Sequence, residues 1–124
     1  MHLARRQFAA LVVRAMETIP APIRARMDNV EVVVERWPTE AQRTSLDLAP
    51  TEELFGLYEG VPLPERGITA DALLPDKITI FQGPLEEACA TEEEMAEEIR
   101  TTVVHEIAHH FGIDEEALAE LGYE

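Results

Sequence analysis

One cysteine in 124 residues cannot close an internal disulfide, so Cys89 ties the chain to no oxidising compartment. Lying among the small and apolar residues of 85–90, it reads as a buried structural thiol. Basic residues are scarce as well: ten Lys and Arg stand against 25 Asp and Glu, for a net charge of -15. Such a field repels nucleic-acid phosphates and anionic membrane surfaces, and it steers cationic peptides or basic protein segments inward. Long hydrophobic runs are missing too. Arg5-Arg6 followed by Phe8-Ala9-Ala10-Leu11-Val12-Val13 resembles the start of an export signal, but Arg14 interrupts it and Glu17 follows. No segment approaches the roughly 20 apolar residues of a membrane span. These absences lead to the expectation of a cytoplasmic protein that binds neither nucleic acid nor membrane.

What the chain does have is 46% hydrophobic residues, enough for one real core in a single domain over residues 1–124. Leu3, Phe8, Leu11, Val12, Ala15 and Ile19 recur with a helical period, predicting an amphipathic helix packed on a sheet. Pro20 and Pro22 end it and begin a short second helix running through Met27. Asn29 to Glu35 is the clearest strand, with Val30, Val32 and Val34 on one side; Trp37-Pro38 closes it. Residues 39–52 read as a polar connection with a helical turn near Thr51 to Leu54. Leu54–Glu59 and Lys77–Gln82 are two further strands, separated by a loop carrying Pro62, Pro64 and Gly67 that could shape access to a site. No internal repeat is visible.

Three of the four histidines lie within six positions, in His105-Glu106-Ile107-Ala108-His109-His110. Its first five residues form HExxH, the pattern of zinc hydrolases. Two imidazoles four apart on a helix share a side and can reach one zinc, each about 2.0–2.1 Å away. Glu106 then sits where a general base must sit, taking a proton from a water whose pKa the metal lowers to about 7. A helical wheel from Thr91 onward supports the context. Met95, Ala96, Ile99, Val103, Val104, Ile107 and Phe111 fill one apolar arc, while His105 and His109 lie opposite with Glu98 and Thr102. His110 projects into the apolar arc and reads as a core or supporting histidine rather than a ligand.

Gly112 should end the helix, and a shorter one should run from Glu115 to Leu121. Two acids compete for the third metal position. Glu115 has the spacing of HExxHxxGxxE, whereas Asp114 suits the amino-terminal cap of the short helix. Glu115 is favoured with Asp114 as the alternative; the plainer role for Glu115 is an acid in a first helical turn, stabilised by the helix dipole. The seven glutamates between 86 and 98 read as a solvated face rather than a recognition surface.

With these residues in view, the chain resembles the very small bacterial zincin-like metallopeptidases, often called minimal zincins. Besides the HExxHxxGxx(D/E) segment, the resemblance rests on Leu57-Tyr58-Glu59-Gly60-Val61-Pro62-Leu63 and on Leu74-Pro75-Asp76-Lys77-Ile78-Thr79-Ile80. Phe81, Gly83, Pro84 and Leu85 continue it, so that it spans about residues 28 to 121. It implies a single-domain α+β fold in which a small mixed sheet of three to four strands packs with an active-site helix and amino-terminal helices. It also implies a zinc ion held by two histidines and an acid, and hydrolysis of peptide bonds. It brings no substrate. In larger zincins two subdomains form the cleft, so a chain this short would have a shallow one unless a partner or second copy completes it.

In zincins an edge strand ahead of the active-site helix pairs with extended substrate, and the resemblance assigns that role to Ile78-Thr79-Ile80-Phe81, with an interior strand as the alternative. Tyr58 offers a hydroxyl that could steady an oxyanion, or it packs on the sheet. Two functional classes follow. One is a peptidase with a peptide or protein substrate, basic or extended, in which an open zinc position carries the water; a non-peptide amide would use the same residues. The other is a non-catalytic zinc-binding interaction module with an acidic docking surface.

Overall fold

The computed structural model describes residues 1–45, 54–60 and 75–122. Helix α1 spans Arg5–Glu17, α2 Ala21–Arg24 with a tighter turn over Ala25–Met27, and α3 Glu40–Ser45. The strands are β1 (Val30–Glu35), β2 (Gly56–Glu59) and β3 (Asp76–Phe81); they are completed by α4 (Gln82–Ala88), α5 (Glu92–Phe111) and α6 (Glu115–Glu120). The architecture is α+β with a mixed three-stranded sheet, as expected. Among the described residues no helix is long and apolar enough to cross a membrane.

The sheet order is β1-β3-β2, parallel between β1 and β3 and antiparallel between β2 and β3. Its central strand is therefore β3, which overturns the expectation of Ile78 to Phe81 as a free edge. Ile78, Thr79, Ile80 and Phe81 are all fully buried. A stretch of Ile78, Ile80 and Phe81 broken only by Thr79 suits a strand flanked on both sides, where an edge strand would carry charges or proline. Among the described strands the edges are β1 and β2.

Strand alternation sorts the two faces. Val32 and Val34 pair with Ile78 and Ile80 and turn inward with Val30, as the valine pattern predicts. Helix α5 crosses this face, burying Met95, Ala96, Ile99, Val103, Val104, Ile107 and Ala108. Helix α1 buries Phe8, Leu11, Val12 and Ala15, and it packs chiefly against α5 rather than on the sheet. Each large aliphatic side chain buried here contributes about 1.5–3 kcal/mol.

Both ends of α5 are built by local chemistry. Thr91 Oγ1 accepts the Glu94 amide at 3.1 Å, and Glu92, Glu93 and Glu94 stand at the positive end of the helix dipole. Gly112, at φ 70°, takes the left-handed conformation, and the Ile113 amide returns to the Ala108 carbonyl at 2.8 Å. Helix α3 lies in the expected polar connection. Its start is a reciprocal cap: the Gln42 amide donates to Thr39 Oγ1 at 3.0 Å and the Thr39 amide to Gln42 Oε1 at 2.8 Å. The anticipated turn at residues 51–54 and the loop with Pro62, Pro64 and Gly67 fall mainly or wholly outside the described residues.

Helix α4 follows β3 without a linker. Its Glu86 is buried and gathers the amino-terminal segment: Oε2 accepts the Leu3 amide at 2.7 Å and the Gln82 carboxamide at 3.2 Å, while Arg36 lies 3.2 Å from Oε1. Cys89, just beyond α4, is buried and apolar in its surroundings, as anticipated.

Candidate metal centre

His105 and His109 stand one turn apart on α5, on the side away from its buried stripe. The His105 Nδ1 lies 3.0 Å from the Thr101 carbonyl, one turn back along the same helix. A carbonyl only accepts, so Nδ1 carries the proton in the neutral ring and Nε2 keeps its lone pair for a metal. The two ring centres are 6.5 Å apart and tilted by 42°. Imidazoles sharing one tetrahedral zinc, at Zn–N distances of about 2.0–2.1 Å, bring their centres to roughly 5 Å. The difference is within reach of side-chain rotation, since His109 is exposed and His105 only partly buried. Donor type, tautomer and facing thus fit zinc for these two residues.

The acids behave differently. Asp114 caps α6, its Oδ1 accepting the Ala117 amide at 2.8 Å, which is the capping role foreseen for it. Glu115 is exposed in the first turn of α6. Among the described residues no group of three or more His, Cys, Asp or Glu side chains is gathered as a metal set. The structure therefore brings His105 and His109 to one face without drawing Glu115 or Asp114 in to join them.

Glu106 reaches toward β2. Its Oε1 accepts the Tyr58 amide at 2.8 Å. That amide is available for a definite reason: the Phe81 amide donates to the Phe55 carbonyl at 2.9 Å, and alternation along the antiparallel pair turns the groups of Gly56 and Tyr58 outward. One carboxylate oxygen of Glu106 is thus held by the strand edge, leaving Oε2 for other work. The close approach of β2 to α5 needs Gly56, where a Cβ would come within 2.6 Å of Thr102 Cγ2.

Tyr58 has further ties. Its hydroxyl donates to Asp76 Oδ2 at 2.5 Å, and its ring stacks on His110 with centres 3.9 Å apart and 20° between planes. Burial, reinforced by the hydrogen bond and charge of Asp76, pushes the phenol well above its ordinary pKa. The hydroxyl is a protonated donor engaged with Asp76, not one aimed at a developing oxyanion. Of the two places expected for His110, the core and a supporting position, it does not take the first: it is 40% exposed, against Tyr58, with Nε2 3.9 Å from Asp76 Oδ2. Phe111 is 38% exposed under the Arg26 guanidinium, 5.7 Å from the ring centre. Both residues lie in the last turn of α5, which has run past the core and meets the side of β2. A wheel registers angle and not the point where the supporting layer ends.

Sequence reasoning gave Asp76 and Gly56 no role. Asp76 lay within the Leu-Pro-Asp stretch that carries the resemblance. The signal for Gly56 was an isolated glycine in a strand, which marks close backbone approach.

A mixed sheet crossed by a helix that carries HExxH on its open face defines the zincin class. The profile of zincin-like metallopeptidases matches residues 27–123, and the chain belongs to that family. No curated protein matches the chain. Among solved structures it is similar to a conserved hypothetical protein from Thermus thermophilus, at 23% identity and a TM-score of 0.57, covering 95% of this chain and 99% of that one. This likeness concerns the fold.

Proposed function

We propose that the protein is a zinc-dependent peptidase in which His105 and His109 hold the metal, Glu115 or Asp114 completes the set, and Glu106 is the general base. The observation that carries the reading is the His105 ring, fixed by Thr101 with Nε2 free one turn before His109, and with Glu106 between them. When bound, zinc supplies a water acidic enough to be deprotonated near pH 7 and polarises the scissile carbonyl. Glu106 takes the proton through the oxygen that Tyr58 does not hold and delivers it to the leaving amine. Thr101 keeps the His105 tautomer, and the outward groups of β2 other than the Tyr58 amide, which Glu106 holds, offer an extended backbone a place to pair. The acidic net charge favours basic segments in the substrate.

Purified protein should bind zinc by elemental analysis and melt several degrees higher with it, because a ligand at 100 times its Kd adds about 2.7 kcal/mol. His105→Ala and His109→Ala should each lose the metal and the shift. Glu106→Gln should keep zinc and lose about 10²- to 10⁴-fold in peptide hydrolysis. Unchanged zinc content in both histidine variants would sink the ligand assignment, and undiminished turnover in Glu106→Gln would exclude it as base. The second reading, a zinc-binding interaction module, draws on the Glu106–Tyr58 hydrogen bond, which ties the carboxylate into the fold. Zinc binding with no hydrolysis across a peptide library would favour it.

A further inference from the structure

We propose that β1 and the groove beside it dock an extended segment of a partner protein that alternates apolar with basic residues. The Asn29 carbonyl accepts the Asp76 amide at 2.9 Å, so alternation in the parallel pair turns the backbone groups of Val30, Val32 and Val34 away from β3. Among the described residues one side chain meets this edge, Arg5, which donates to the Val34 carbonyl at 2.5 Å. Val30 and Val32 leave their outward amides and carbonyls for an added strand.

Next to this edge lies a groove of about 540 Å³ between α1, the Arg24–Asp28 segment and β1. Val12, Val13, Met16, Met27 and Val32 make its wall, and Val13 is 61% exposed. A strand laid along β1 sends alternate side chains to this helix side, where apolar ones fill the groove and the flexible methionines adapt to them. Its other side chains stand on the opposite face beside Glu31 and Glu35, both exposed.

Charge decides the occupant. Glu17 and Asp28 also border the groove, and none of these four acids is in an ion pair among the described residues. The neighbouring guanidiniums are turned to backbone, Arg24 to the Met16 carbonyl and Arg5 to Val34. Lys77, level with Glu31 in the register, points its ammonium at Glu59, 4.0 Å away. A second copy of β1 fits badly: antiparallel about Val33 it sets Glu31 against Glu35, and each copy carries a net charge of -15. Lys or Arg at every second position meets Glu31 and Glu35 on the face opposite the groove instead, while Glu17 and Asp28 add to the negative field at its rim.

The test uses the full chain and three fluorescein-labelled heptapeptides: alternating Lys and Val, alternating Lys and Ser with the same charge, and alternating Glu and Val. Fluorescence anisotropy should give saturable binding of the Lys/Val peptide, at least tenfold tighter than either control. Val13→Arg, which plugs the groove, and the double reversal Glu31→Lys/Glu35→Lys should each weaken it at least tenfold, while His105→Ala leaves it unchanged. The variants alter exposed side chains, and equal melting temperatures confirm that they fold. In amide NMR spectra the Val30 and Val32 signals should move on binding. Equal binding of the Lys/Ser peptide, indifference to both variants, or loss in His105→Ala would each overturn the proposal. So would sedimentation showing a dimer that Val13→Arg dissolves, since a second copy would then be the occupant.

Discussion

Thr79 has its hydroxyl fully buried in the central strand, without a hydrogen-bond partner among the described residues. A buried polar group left unpaired costs about 1–3 kcal/mol, so Thr79→Val, nearly isosteric and equally β-branched, should raise stability by about 1 kcal/mol in chemical denaturation. A loss of stability there would mean that the hydroxyl is satisfied in solution. At this scale much was legible in advance. The tautomer-fixing contact of His105 was not, because it depends on a carbonyl, and neither was the grip of Tyr58 on Glu106, which joins residues 48 positions apart. Asp114 was readable as a cap since capping is a local affair. Of the two roles expected for His110, core or supporting, the core one failed because angle around a helix does not give position in the fold.

The joint between β2 and α5 is the element on which the candidate site depends most. Gly56 lets the strand lie against Thr102, and through Tyr58 the strand holds Glu106. Gly56→Ala should cost about 1–3 kcal/mol as an overpacked contact, measured as a lower midpoint in denaturant. Combining it with Thr102→Ser, which removes the methyl in the way, should restore most of the loss; no restoration would place the strain elsewhere. Among elements, those with strong periodicity or clear punctuation were foreseen: α1, α2, the three strands, α5 and α6. Helices α3 and α4 were missed. The first has six residues and no apolar stripe, with Thr39 and Gln42 its one signal. The second opens on Gln82-Gly83-Pro84, which reads as a turn until Gly83 is seen flush against Trp37, where a Cβ would approach the ring to 2.5 Å. Strand order escaped the sequence because pairing partners are chosen by packing across long separations.

For the whole molecule, Glu86 is the carboxylate whose protonation should loosen the fold. Burial alone would raise its carboxyl, but the Leu3 amide, Gln82, Arg36 and His2 outweigh it and hold the group below its ordinary 4.5. A group depressed in the folded state contributes stability that is present above that ordinary value and is lost as the pH falls through its folded value. Melting temperature should therefore drop on acidification below about pH 4.5. Glu86→Gln should lower the midpoint near neutral pH and flatten this dependence; an unchanged slope would assign the acid sensitivity to other carboxylates. The segment loosened would be residues 1–3, which are tied to this side chain, to the Glu86 carbonyl and to the Gln82 carboxamide, which donates to the Leu3 carbonyl at 2.9 Å.

The position of β3 between β1 and β2 also bears on how the chain reaches its fold. The two outer strands precede it and do not pair with each other, so among the described strands neither has a partner until Asp76–Phe81 arrives. Val30 must find Asp76 across a wide span of chain, a loop whose closure entropy is spent before any ladder bond repays it. Helix α1 can begin to coil early, yet its own packing surface is α5, which comes later still. Assembly is thus weighted toward the second half of the polypeptide, and a nascent chain stopped before residue 76 would leave β1's valines bare and prone to pair with the wrong neighbour.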